Sequence, residues 1–238
     1  MINDEGSFQG FSANTVDYLK ILRENNNKRW FEANKEEYQG YLLEPLRKLV
    51  QEMSTFMLSI DAYLETSPGR AVSRIYRDTR FSYDKSPYRN TAWITFKRPG
   101  RDWQDAPAFF FEIAPDSYRY GMGFFRAGKQ TMDRFRDVVD KKPEAFLKAI
   151  SFYAKQELFV LEGEKYKKIL NPNISEEIQE WYQRKSFYMV CNRDIDCRLF
   201  SKDLVYDLLS CFGLLAPVYH YLWMIKKSPV DYHQPNSQ

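Results

Sequence analysis

The chain has 238 residues, a formal net charge of +3, and is 44% hydrophobic and 17% aromatic. That is enough apolar material for a real core in one large domain or two small ones. With three cysteines, two histidines and no HExxH, CxxC, GxGxxG or GxxxxGK motif, the sequence disfavours zinc hydrolases, Rossmann oxidoreductases and P-loop NTPases. The amino terminus lacks the basic and apolar regions of a secretory signal, so reduced thiols in a cytoplasmic protein are expected.

In chain order, residues 1–11 read as a flexible lead-in. Ser12 or Asn14 can cap a helix carrying Val16, Leu19 and Leu22, which the run Asn25-Asn26-Asn27 would end. A second helical pattern starts near Lys28 and runs through Trp30, Phe31, Tyr38 and Leu42 to Leu46, Leu49, Val50, Met53 and Met57. Pro45 interrupts it and predicts a kink or break at Glu44. Ser67-Pro68-Gly69 reads as a turn.

The pattern then alternates. Strands are expected at 71–77, 91–98, 108–114 and 118–125, the last two joined by the turn Pro115-Asp116-Ser117. The run Phe109-Phe110-Phe111 predicts a central strand with both faces covered by helices. Gly121 and Gly123 share a strand face and predict a groove free of side chains. Helices follow at 129–141, 143–156 and 176–184, short strands at 157–161 and 187–192, and a long aromatic helix at 201–223, kinked near Gly213 or Pro217. Its polar positions Asp207, Ser210 and His220, with Pro217, argue against a membrane span. The fold expected is α+β, a largely antiparallel sheet of four to five strands packed with helices. It forms a single domain over 12–227, with a flexible tail at 228–238.

Charge is concentrated in one place. Residues 70–101 hold nine basic and two acidic side chains, a local +7 against −4 for the remainder. Within SRIYRDTRFSYDKSPYR, residues 73–89, arginines are interleaved with aromatic rings. Guanidinium forks match carboxylate or phosphate oxygens, so the candidate ligand-binding set is Arg74, Arg77, Asp78, Arg80, Lys85 and Tyr88, with Glu112, Gly121 and Gly123 as a wall. The competing expectation is that Arg77 and Arg80 pair with Asp78, Asp84 or Glu112 and tie the loop down.

ENNNKRWFEANKEEY at 24–38, the 73–89 segment and YRYGMGFF at 118–125 together resemble the bacterial domain of unknown function 2461 family. GEKYKK at 163–168 and WYQRKSFY at 181–188 look like its carboxy-terminal pattern. The resemblance implies a single α+β domain and brings no catalytic residue with it.

The function expected is binding of a small phosphate- or carboxylate-bearing anion through the Arg-rich loop, with the question of catalysis open. The alternative is a protein-interaction module with an aromatic and basic surface. Single-stranded nucleic acid ranks third, because a net charge of +3 is low for that class. No cofactor, metal or membrane partner is expected.

Overall fold

The computed structural model describes residues 6–227. Helix α1 (Ala13–Glu24) starts at Ser12, whose N–H donates to Thr15 Oγ1 at 3.2 Å. Asn27 caps α2 (Lys28–Ala33) by accepting from the Trp30 N–H at 3.0 Å. A short turn, α3 (Lys35–Glu37), runs into a π-helical stretch, Tyr38–Leu43, and then α4 (Glu44–Ile60). The break expected at Glu44 takes this form. Pro45 follows the π turn directly and lacks the N–H to bond back into it, and there the Tyr41 carbonyl accepts from the Thr15 hydroxyl at 2.6 Å instead.

Five strands form one antiparallel sheet in the order β1-β2-β3-β5-β4. They are β1 (Ala92–Phe96), β2 (Pro107–Ile113), β3 (Ser117–Phe124), β4 (Val160–Glu162) and β5 (Tyr188–Asp194). The β2–β3 hairpin closes at the predicted turn, with the Ala114 N–H donating to the Ser117 carbonyl at 2.9 Å. The protein is therefore an α+β single domain.

The strand expected at 71–77 does not form. A helical turn, α5 (Pro68–Ala71), is followed by two isolated bridges, Val72 to Ile94 and Tyr76 to Tyr88. The Ser73 N–H donates to the Trp93 carbonyl at 2.8 Å. In return the Trp93 N–H is taken by the Ser73 hydroxyl at 3.0 Å and not by a backbone carbonyl. The side chain consumes the donor that a ladder needs, and the chain leaves the sheet edge.

After β3 come α6 (Lys129–Lys141), α7 (Pro143–Ala149) and a 3-10 turn at Tyr153–Lys155, so the helix expected over 143–156 is shorter. Next come α8 (Glu176–Tyr182) and α9 (Asp203–Lys227), which runs unbroken through Gly213 and Pro217. Contrary to the sequence expectation, α9 is long and apolar enough to cross a membrane by length and composition alone. Here Leu208, Phe212, Leu215, Tyr219 and Leu222 are buried in the core.

One sheet face is that core. Ile94, Phe96, Phe109, Phe111, Tyr120 and Met122 are buried on it, and Phe109 meets Phe212 and Tyr219 of α9 at ring distances of 5.1 and 4.9 Å. Phe8 and Phe11, in the segment expected to be a lead-in, are also buried, and Phe11 stacks on Phe111. Residues 1–5 and the tail 228–238 lie outside the described residues.

Candidate functional site

The Arg-rich segment folds as a braced excursion. Its stem is antiparallel: the Arg77 N–H donates to the Pro87 carbonyl and the Arg89 N–H to the Ile75 carbonyl, at 2.9 and 2.8 Å. Tyr88 is buried, with its ring stacked on Phe31 of α2 at 4.1 Å.

At the tip, Arg80 grips Asp78 through two hydrogen bonds, Nε at 2.9 Å and Nη2 at 2.7 Å. That guanidinium, with the Arg80 backbone N–H, lowers the Asp78 carboxyl to a pKa of about 2. Arg77 pairs with Asp84, which also accepts from the Ser86 hydroxyl and N–H. These bonds, those from Ser86 foremost, hold the Asp84 carboxyl far below the usual carboxylate range. Lys85 donates to the Thr79 carbonyl at 2.9 Å, and Arg74 is exposed. Phe81 and Tyr83 stand out into solvent at 94% and 107% relative exposure. Arg77 and Arg80 are thus engaged with the loop's own acids.

A different set of residues meets on the second sheet face. Strand register lays out three rows. Trp93, Glu112, Arg119 and Asn192 stand side by side across β1, β2, β3 and β5. The next row is Thr95, Phe110, Gly121 and Val190. The third is Ala108, Gly123, Tyr188 and Glu162. The expectation that helices cover both faces of the Phe109-Phe110-Phe111 strand is corrected here. Phe110 is half-buried and lines a cavity of about 300 Å³ with Trp93, Thr95, Trp103, Ala108, Glu112, Arg119, Gly123, Phe124, Phe125 and Tyr188.

The glycines serve close approach. A Cβ on Gly121 would strike the Met189 carbonyl, and one on Gly123 would strike Tyr188 Cα. The side-chain-free strip is therefore occupied by the β5 backbone, and only Gly123 of the pair borders the cavity.

A second cavity of about 190 Å³ adjoins the first and shares Trp93, Thr95, Trp103 and Phe125 with it. Its far end carries Arg70, Arg89 and Lys97. The Arg89 guanidinium lies over the Trp93 ring at 4.7 Å, and Lys97 Nζ lies 3.5 Å from the centre of the Trp103 ring. Burial pulls the Lys97 ammonium below its ordinary pKa, with Glu65 acting in the opposite direction. Arg70 pairs with Glu65 at 3.1 Å. The roof is held down by the Arg126 N–H, which donates to the Gln104 carbonyl at 2.9 Å.

Polar groups close the other end. Arg119 Nε donates to Glu112 Oε1 at 2.9 Å. The Tyr188 hydroxyl donates to Glu162 at 2.7 Å. Burial raises the Tyr188 pKa, the Glu162 bond raises it further, and the phenol stays protonated.

Of the residues singled out from sequence, Glu112 and Gly123 reach this cavity, while Arg77, Asp78, Arg80, Lys85 and Tyr88 are held within the loop or its stem. The sequence reading passed over Trp93, Thr95 and Lys97. Strict alternation with Ile94 and Phe96 was the signal that puts them on one face. Among the described residues, no group of three or more His, Cys, Asp or Glu is placed to hold a metal ion.

Fold and cavity define an α+β protein whose antiparallel sheet keeps one face for a pocket. Over residues 14–221 the chain matches the family described as Conserved hypothetical protein (DUF2461), and it belongs to that family. No curated protein matches the chain.

Proposed function

We propose that the protein binds a small anionic ligand carrying a flat ring, seated on the open sheet face. The observation that carries this reading is the continuity of the two cavities under Trp93 and Trp103, with aromatic walls at one end and Arg89, Lys97 and Arg70 at the other. An apolar cleft with a few convergent polar groups is the usual form of a small-molecule site. The anion end belongs to Arg89 and Lys97, because Arg77 and Arg80 already hold Asp84 and Asp78. Ring stacking on tryptophan and charge-assisted bonds to the cations would then act on one molecule.

The test is calorimetric titration with aryl and heteroaryl phosphates and carboxylates, on wild type and on Lys97→Met and Trp103→Ala. Binding that both substitutions weaken is expected. Wild-type affinity in both folded variants, or no binding by any compound of the panel, would overturn the reading.

A second reading rests on Phe81 and Tyr83. Exposed rings beside arginine have the composition of interface hot spots, which fits docking of a protein partner. A photo-crosslinking residue at position 83 should then give a discrete adduct in cells. Absence of any adduct sinks this alternative.

A further inference from the structure

Resting on the pocket reading above, we infer that the ligand is a nucleoside monophosphate, its base edge at Glu112 and Arg119 and its phosphate at Lys97 and Arg89. The observation behind this is the hydrogen-bonding edge that Glu112 and Arg119 present in the first cavity, while Arg89 and Lys97 line the second.

The Glu112–Arg119 contact uses Oε1 and Nε. The carboxylate keeps Oε2 as an acceptor, and the guanidinium, which also bonds the Tyr188 hydroxyl, keeps further N–H donors beside it on the adjacent strand. An acceptor next to a donor is the complement of a nucleobase edge, which sets an N–H beside a carbonyl or ring nitrogen. A plain aryl acid would leave that pair unmatched.

Distances agree. Arg119 stands in the same row as Trp93, two strands away, and Lys97 lies four residues further along the chain from Trp93, so the Arg119 and Lys97 Cα positions are about 17 Å apart. A base, a sugar and one phosphate, met by two long side chains, span such a gap. Trp93 and Trp103 border both cavities and supply π faces for the base or its sugar link.

Charge also agrees. Of the three cations lining the second cavity, Arg70 is paired with Glu65 and Arg89 donates through one Nη to the Arg74 carbonyl at 2.9 Å, which leaves Lys97 and the remaining Arg89 N–H groups without a salt bridge among the described residues. Two cations match one phosphate monoester, which carries a charge of about −1.5 to −2 near pH 7. A carboxylate would leave one of them unmatched.

The test is calorimetric titration of the full chain with AMP, GMP, CMP and UMP, and with adenosine and phenyl phosphate as half-ligands. At least one monophosphate should bind about tenfold or more tightly than either half-ligand, the scale of one charged hydrogen bond. Glu112→Gln should weaken that nucleotide and leave phenyl phosphate unchanged, while Lys97→Met should weaken both phosphates and leave adenosine unchanged. Thermal melts of each variant confirm folding.

Phenyl phosphate binding as tightly as every nucleotide, or a folded Glu112→Gln variant with unaltered nucleotide affinity, would overturn this inference and leave the general pocket reading standing. Failure of every phosphate and carboxylate to bind would overturn both.

Discussion

Asn26 closes both atoms of its side-chain amide on the backbone of Tyr88. Nδ2 donates to the Tyr88 carbonyl at 2.9 Å, and Oδ1 accepts from the Tyr88 N–H at 3.0 Å, across 62 residues of sequence. The amide acts as a one-residue strand that holds the stem of the Arg-rich loop against the α1–α2 junction. Two of the segments that carry the family resemblance, 24–38 and 73–89, are therefore one structural unit. Asn26→Ala leaves a part-buried N–H and carbonyl without these partners and should cost about 2–3 kcal/mol in urea unfolding. Asn26→Asp keeps the acceptor and loses the donor, so it should fall between. A loss under about 0.5 kcal/mol for Asn26→Ala would show that water replaces the amide freely.

Rings beneath the loop and at its tip should divide sharply. Phe31 is buried and stacked on Tyr88, so Phe31→Ala should destabilise by about 3–5 kcal/mol. Phe81 and Tyr83 are fully exposed, and their alanine variants should stay within about 0.5 kcal/mol of wild type. Large destabilisation by Tyr83→Ala would mean the tip folds back on the protein in solution.

Asp61 and Arg98 form an ion pair near the carboxy-terminal half of α9. The Asp61 side chain is 4% exposed and accepts from Arg98 Nε at 2.6 Å and from the Tyr219 hydroxyl at 2.5 Å. Burial alone would raise the Asp61 pKa, but the bonds from Arg98 and Tyr219 outweigh it and leave it below the ordinary value. A depressed folded pKa adds stability above the unfolded value of about 3.9, and that stability is lost as pH falls through the folded value. Arg98→Met strands a buried carboxylate and should cost about 3–5 kcal/mol at pH 7. Without Arg98, burial raises Asp61 of the variant, so the gap from wild type should begin to narrow above the ordinary carboxylate value of about 3.9 and go on narrowing as pH falls through it. A gap independent of pH would assign the loss to packing of Arg98 on Trp223 instead.

Thiol chemistry should single out one cysteine. Cys197 is exposed, whereas Cys191 and Cys211 are buried. Burial pushes the Cys211 thiol up to about 11 and raises Cys191 as well, so neither supplies thiolate near neutral pH. A thiol-reactive chromophore should label one group quickly in the native chain and all three after denaturation. Fast native labelling of two or three would contradict the packing around Tyr120.

Sequence alone determined whatever depends on near neighbours. The turn Pro115-Asp116-Ser117 and the alternation on either side place β2, β3 and their register, because turn chemistry and side-chain direction are local properties. The helix at 129–141 is legible for the same reason. The concentration of positive charge at 70–101 is legible by counting.

Tertiary structure decided how those residues are used. Phe109, Phe110 and Phe111 are the same letter on opposite faces, and only the position of α9 makes one face core and leaves the other for a cavity. Serine at 73 reads as strand-compatible until its hydroxyl takes the Trp93 N–H and ends the ladder. Whether Arg77 and Arg80 serve a ligand or the loop's own acids stays open in the sequence, and loop closure brings Asp84 and Asp78 to them, because a charge's partner is set by distance in space. The pocket draws on β1, the 103–105 turn, β3 and β5, with Trp93 and Tyr188 nearly a hundred positions apart, a juxtaposition that only the strand order creates.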